Sequence, residues 1–519
     1  MVSSVLLLGV LTLAPLPPAR AAEQLMLQGI GLKLPIDLSQ LRAWSRGAEA
    51  GELGLWLSLL SPEDQKQLRQ LLQRPLLRQR SFAQQLLNSW VGMQVVQEIG
   101  DLVTTDDGRS THAELSTTLN HLLADQRQVT ALDLLQAMPS PRLTLQVDRL
   151  AEIVGRWRLQ LQRQGRALTV LDRLPLVLRE RRSPSFDQPG FRDADLKPQT
   201  VNLAVPHRPG QRLHLRIWSS PGHPSRTWVL LMPGLGGNGR QLAWLATSLA
   251  EQGWPVLAID HPGSDDAALQ ALVDGVGPAP GPETLVARLQ DLEAVLTAER
   301  DGRLPHLGDS VVLVGHSLGG LTALLGVGLR PEAGLSRRCQ SAVDGLPLIN
   351  LSRFLQCQLL PVSPPAIRLP VPVAAVVSFN SFGSLLWPRH GLQPLALPVL
   401  MVGGSQDLVT PPLAEQLDLF LPHQQPLSRL VLVRGGSHFS VVRLPRQDRA
   451  TFQLDTTLVG VEPLRVQALL AGLTADFLRS LRQPSGLPVQ RRLQDGVEAF
   501  VLDRPSALRW QEGLAPPKR

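Results

Sequence analysis

From residue 200 onward, short unbroken apolar runs alternate with longer segments of helical spacing. The runs are Trp228 to Met232, Val256 to Asp260, Ser310 to Val314, Val373 to Phe379, Val399 to Gly403 and Leu430 to Val433. A strand with one wet face would read apolar, polar, apolar, so unbroken runs predict strands covered on both faces. Segments 240–252, 283–299, 318–330, 412–421 and 464–481 between or after them suit helices, and Thr200 to Val205 with Arg212 to Trp218 predict an opening strand pair. The alternation predicts an α/β fold with a mostly parallel sheet over residues 200–482.

Residues 23–170 read differently. Asp37 ahead of Leu38, and Ser61-Pro62-Glu63-Asp64, are helix starts: a capping oxygen, a proline in the first turn and acids near the positive end of the helix dipole. Val147, Leu150, Val154, Trp157 and Leu161 recur at spacings of three and four, and the seam is expected to pack into a core. A smaller all-α domain is predicted here, with a structural, lid-like or partner-binding role. A linker rich in Pro, Asp and Arg follows over 171–199. Residues 331–370 interrupt the later alternation and predict a cap-like insertion, and 483–519 read as a C-terminal tail.

The first 22 residues have the layout of an export signal: an apolar stretch from Val5 to Leu13, then Pro15, Pro17 and Pro18, then Ala19-Arg20-Ala21 as a small-x-small cleavage site. The start of this segment lacks Lys and Arg, so an uncleaved anchor or a buried apolar segment is the alternative. Export to a periplasmic, secreted or thylakoid-lumenal location would let Cys339 and Cys357, the two cysteines of the chain, form a disulfide; the alternative is a pair of buried thiols. The formal charge is +7, and apart from Lys33, Lys66, Lys197 and Lys518 every basic residue is Arg. No basic run concentrates that charge, which argues against a nucleic-acid partner and for a solvated arginine-rich surface; the net basicity by itself would suit peripheral contact with an anionic membrane or an acidic partner. Oligomeric state is not encoded in any of these patterns.

Val311 to Gly320 is where pattern turns into chemistry. An apolar run feeds G-x-S-x-G at Gly315-His316-Ser317-Leu318-Gly319, and then a helix-forming segment. Small neighbours let the chain turn sharply and expose Ser317 as a nucleophile. A serine hydroxyl needs a base, and the base needs an acid to hold its tautomer. Asp407 follows the run at 399–403 and His438 follows the run at 430–433, so the order is serine, acid, histidine. The oxyanion would be held by the N–H groups of Leu318 and Leu235, with Gly236 the alternative should the loop register differ by one. Leu235 lies in Pro233-Gly234-Leu235-Gly236-Gly237-Asn238-Gly239, which also matches G-x-G-x-x-G, with Asp260 about twenty residues on. An NAD(P)-dependent oxidoreductase is therefore the competing reading, although it leaves Ser317, Asp407 and His438 without a role. A non-catalytic scaffold with a partner- or membrane-binding helical domain is a third.

Asp260-His261-Pro262-Gly263-Ser264, Gly315 to Gly320, the Asp407 loop and Gly435-Gly436-Ser437-His438-Phe439-Ser440 together resemble the α/β-hydrolase superfamily. They are more narrowly similar to dienelactone-hydrolase-like and platelet-activating-factor-acetylhydrolase-like esterases. The chain from about 23 to 482 looks like cyanobacterial exported hydrolases that carry an amino-terminal helical domain of unknown function. The resemblance implies hydrolysis of a small-molecule or lipid ester, or a lactone, through an acyl-enzyme without metal or organic cofactor. Acyl transfer and amide hydrolysis would use the same triad. The acetylhydrolases place their acid one strand earlier, where this chain has Asn380, so their lipid specificity is not carried over.

Overall fold

A computed structural model describes residues 21–58, 60–73, 75–77, 90–125, 129–179, 196–219, 225–274, 276–343, 349–443, 460–483 and 486–514. Residues 1–20 of the expected export signal and 180–195 of the expected linker lie outside them. The chain divides into two compact units, one of residues 1–87 and 95–150, the other of 88–94 and 151–519.

The first unit carries strands β1 (Gln24–Gly29), β2 (Leu32–Asp37), β3 (Pro75–Leu77), β4 (Val103–Thr105), β5 (Val129–Thr130) and β6 (Arg142–Gln146). Four of them form a sheet in the order β2-β1-β6-β4, so this part of the chain is not all-α. The signals were local. Leu25 and Leu27, then Leu32 and Leu34, alternate with other residues around Ile30-Gly31, and both of these turn residues have positive φ, as a tight hairpin requires. These strands are short, and the helical spacing around them masked a period of two. The helix starts do form: the Asp37 carboxylate accepts from the backbone of Ser39 and Gln40, and Ser61 Oγ accepts from the backbone of Asp64 at 3.1 Å. Leu38, Leu41, Trp44, Leu115, Leu132 and Leu143 close the core.

The helix Val147–Thr169 departs from expectation. Leu150, Val154 and Trp157 are exposed, and only near its end, at Gln164, Ala167 and Leu168, is the helix buried. A regular apolar seam shows what a helix can bury, whereas burial depends on what lies opposite it.

The second unit holds β7 (Leu176–Arg179), β8 (Gln199–Ala204), β9 (Arg212–Trp218), β10 (Thr227–Met232), β11 (Val256–Asp260), β12 (Ser310–His316), β13 (Val373–Phe379), β14 (Val399–Gly404), β15 (Arg429–Val433), β16 (Gln490–Gln494) and β17 (Val497–Leu502). They make one sheet in the order β7-β16-β17-β15-β14-β13-β12-β10-β11-β9-β8, with β11 through β15 and β10 mutually parallel at its centre. Trp228, Leu230, Leu257 and Leu313 point into one core, and Val229, Leu231, Val256 and Val312 into another on the opposite face. Helices Glu283–Arg300 and Leu318–Gly326 cover the first face, and Ala243–Glu251 and Pro463–Ser480 the second. Two-sided cover is why these strands read as unbroken apolar runs.

Two expectations need correction. Residues 490–514 are not a tail: β16 and β17 extend the sheet beyond β15, and the helix Arg504–Leu514 packs on the first core through Ala507 and Trp510. Asp495-Gly496, both at positive φ, form their hairpin turn, a dipeptide signal present in the sequence. Within the expected linker, β7 pairs with β16.

The 331–370 segment folds as helices Leu335–Val343 and Ser352–Gln358, joined by the Cys339–Cys357 disulfide. Glu415 stitches it to the body. Its fully buried carboxylate accepts from Asn350 Nδ2 at 2.6 Å, Gln356 Nε2 at 3.2 Å, the backbone of Gly383 and Ser384 at 2.8 and 2.9 Å, and Ser384 Oγ at 2.6 Å. Glu415→Leu would strand the buried donors of Asn350, Gln356 and Gly383 away from water. It is expected to destabilise the second unit by about 3–5 kcal/mol, measured as a lower urea midpoint at unchanged m-value; a change below about 1 kcal/mol would refute this role.

Candidate active site

β12 ends at His316 and the next helix begins at Leu318, leaving Ser317 alone at the corner with φ 53° and ψ −117°. A serine in that region is strained, and the surrounding packing must hold it there. Its N–H donates to Phe379 O at 2.9 Å. A Cβ on Gly315 would lie 2.2 Å from the Gly319 carbonyl, and one on Gly319 2.0 Å from Met232 O. These two glycines are therefore required by space.

Asp407 and His438 occupy the loops that leave β14 and β15. Asp407 is wholly buried. Its Oδ1 accepts from the backbone N–H of Val409 and Thr410 at 2.8 and 2.7 Å, and its Oδ2 from Asn380 Nδ2 at 2.7 Å, Thr410 Oγ1 at 2.6 Å and His438 Nδ1 at 3.0 Å. Burial by itself would raise its pKa; the neighbouring His438 and the donated hydrogen bonds outweigh that and hold it below the usual 3.8. An ionised carboxylate can only accept, so the His438 Nδ1 that faces it carries a proton and donates. His316 draws this loop to the serine corner: its Nε2–H donates to His438 O at 3.0 Å, and the two rings stand 4.8 Å apart.

A strand–serine–helix corner on the central strand of a parallel sheet, followed by an acid and a histidine on later strand ends, defines the architecture. The fold is that of an α/β hydrolase. A family model described as an alpha/beta hydrolase of unknown function matches residues 21–146, within the first unit. A model described as serine aminopeptidase, S33, matches residues 223–342, which include Ser317. No curated protein matches. Among solved structures, a predicted CIB-like hydrolase from Thermoplasma acidophilum is 16% identical with a TM-score of 0.33, covering 55% of this chain and 99% of that one. An alpha-beta serine hydrolase homologue from Coxiella burnetii is 17% identical with a TM-score of 0.31, covering 53% and 96%.

In this hydrolase fold the glycine loop after β10 lies against the corner, since a Cβ on Gly234 would stand 3.3 Å from Ser317 Cβ. Gly236 N–H is occupied by Ser264 O at 2.8 Å and Gly237 N–H by Gly234 O at 3.2 Å, while that of Leu235 finds no acceptor among the described residues. Leu318 begins a helix, so its N–H lacks an intrahelical partner. The dinucleotide reading loses its acid. Asp260 is buried, paired with Arg216 at 2.7 Å and accepting from Gly239 N–H at 2.7 Å, which leaves no carboxylate for a ribose. His261 is likewise engaged elsewhere, donating Nδ1–H to Asp291 at 2.8 Å.

Of the other residues that build this region, Thr410 and Gln164 carry no motif signal, His316 is only the variable position of G-x-S-x-G, and Asn380 stands where the acetylhydrolases place their acid. Gln164, in the helix Val147–Thr169, donates to Ser405 O at 2.9 Å and so braces the acid loop from 241 positions away.

Two buried histidines predict acid lability. Burial first, and the nearby His438 second, lower His316 to about 3; burial first, and Arg288 second, lower His261 to about 4. Both are neutral when folded, whereas in the unfolded chain they take up protons near pH 6.5. Stability is therefore lost as pH falls from 6.5 towards 4, at on the order of 1 kcal/mol per pH unit for each. Asp407, lowered rather than raised, contributes above its unfolded value and acts only at lower pH. Urea unfolding at pH 6.5 and 4.5 should show a smaller loss for His316→Gln than for wild type. That comparison is isolated from Asp418, which burial raises to about 6 and which acts in the opposite sense.

Proposed function

We propose that this chain is a serine hydrolase that cleaves carboxylic esters or lactones through an acyl-enzyme. The observation that carries the reading is the hydrogen-bonded chain from Asn380 and Thr410 through Asp407 to His438 Nδ1, alongside the strained corner at Ser317. In this reading Ser317 Oγ attacks the carbonyl carbon while His438 Nε2 takes its proton, and Asp407 stabilises the imidazolium. The tetrahedral oxyanion is held by the N–H groups of Leu235 and Leu318. His438 then protonates the leaving alkoxide; for a lactone that alcohol stays tethered to the acyl group. Water, deprotonated by the same histidine, attacks the acyl carbon, and the bond to Ser317 Oγ breaks as that oxygen takes the proton back from His438 and the acid is released.

The motif resemblance to dienelactone-hydrolase-like esterases makes small esters and lactones the first substrates to try. The Cys339–Cys357 pair and the pattern of residues 1–22 favour an exported protein. A panel of p-nitrophenyl esters with labelling by a fluorophosphonate probe tests the reading: labelling should disappear in His438→Ala. The serine aminopeptidase model supports a second reading, amide hydrolysis, in which amino-acyl p-nitroanilides would be turned over faster than esters of similar leaving-group reactivity.

A further inference from the structure

Arg288 is completely buried in the helix Glu283–Arg300, an unusual place for an arginine. Its guanidinium makes three bonds: Nε to Ser264 Oγ at 2.8 Å, Nη1 to Pro233 O at 2.8 Å and Nη2 to Gly234 O at 2.9 Å. Ser264 O in turn accepts from Gly236 N–H, so the arginine holds the glycine loop directly and through a second residue. Burial lowers its pKa to about 10, which leaves it cationic at neutral pH. Asp291, bound to Arg208 and to His207, provides a buried opposite charge.

We propose that Arg288 is a positioning residue that presets the Leu235 N–H for the developing oxyanion, an assignment that rests on the serine-hydrolase reading. Gly234 and Leu235 share a trans peptide, in which carbonyl and N–H point in opposite directions. Holding Gly234 O against Arg288 turns the Leu235 N–H away from the arginine, in a peptide packed on Ser317. The planar fork takes two successive carbonyls at once, which an ammonium cannot do with the same geometry. A cation on the carbonyl also polarises the peptide and strengthens its N–H as a donor. A donor fixed in advance needs no reorganisation when charge appears on the substrate oxygen.

The test uses full-length Arg288→Met and Arg288→Lys. Two readouts are the rate of Ser317 labelling by a fluorophosphonate, whose phosphoryl oxygen gains charge during attack, and kcat and KM on an ester that wild type cleaves. Met should lower the labelling rate and kcat by roughly 10²-fold and Lys by roughly tenfold, with KM within about threefold. Affinity for a trifluoromethyl ketone, which forms a tetrahedral adduct, should fall in step with kcat. If the Met variant fails to fold, Lys and Ser264→Ala decide: Lys is expected to lower kcat roughly tenfold and Ser264→Ala several-fold, each in a variant that circular dichroism shows to be folded at the assay temperature. Wild-type labelling and kcat in a folded Arg288 variant, or a loss confined to KM, would overturn the proposal and leave the hydrolase reading standing. Absence of Ser317 labelling in wild type would overturn both.

Discussion

Ser317→Ala is expected to lower kcat on an active p-nitrophenyl ester by roughly 10⁵-fold or more, leaving only what binding and the oxyanion donors achieve without a nucleophile. Structural collapse would not explain such a loss. Alanine keeps the Cβ, and Ser317 has no side-chain hydrogen bond among the described residues whose removal would unfold the corner. Ser317→Gly provides the complementary measurement. At φ 53° and ψ −117° a Cβ is strained, and its removal should raise stability by about 1–2 kcal/mol while activity is lost equally. A glycine variant that is active, or no more stable than alanine, would contradict the view that this corner holds strain for the sake of its hydroxyl.

Asp407→Asn should follow at roughly 10⁴-fold in kcat. An amide at this position can still accept from Val409 and Thr410, but its NH₂ then faces the atoms that Asn380, Thr410 and His438 now present to Oδ2. Asn380 can present its own oxygen instead, yet the imidazole must accept rather than donate at Nδ1. That moves the ring proton to Nε2, where it blocks removal of the serine proton. The variant should retain fluorophosphonate labelling at a greatly reduced rate. Full-rate labelling would mean that Asp407 is a structural acid.

Much of this was legible along the chain because it is local. Val373–Phe379 and Val256–Asp260 read as strands because a run buried on both faces needs no alternation, and G-x-S-x-G read as a corner because space and φ act on neighbours. Where local signals are weak or competing, the sequence alone does not place the element. The β1–β2 hairpin and the Asp495-Gly496 hairpin were present as patterns but outweighed by helical spacing or by position near the terminus.

By itself, then, the sequence determined the α/β alternation, the strained serine corner, and an acid and a histidine in order on later strand ends. Only the tertiary structure decided that Asn380 and Thr410 bind the acid, that His316 ties the histidine loop to the corner, and that Asp260 is taken by Arg216. It also decided that Arg288 holds the glycine loop and that the seam at Leu150, Val154 and Trp157 stays exposed. The physical reason is reach. Periodicity and turn chemistry act over a few residues, whereas burial and hydrogen-bond partnership join positions tens to hundreds of residues apart and exist only once the sheet has brought them together.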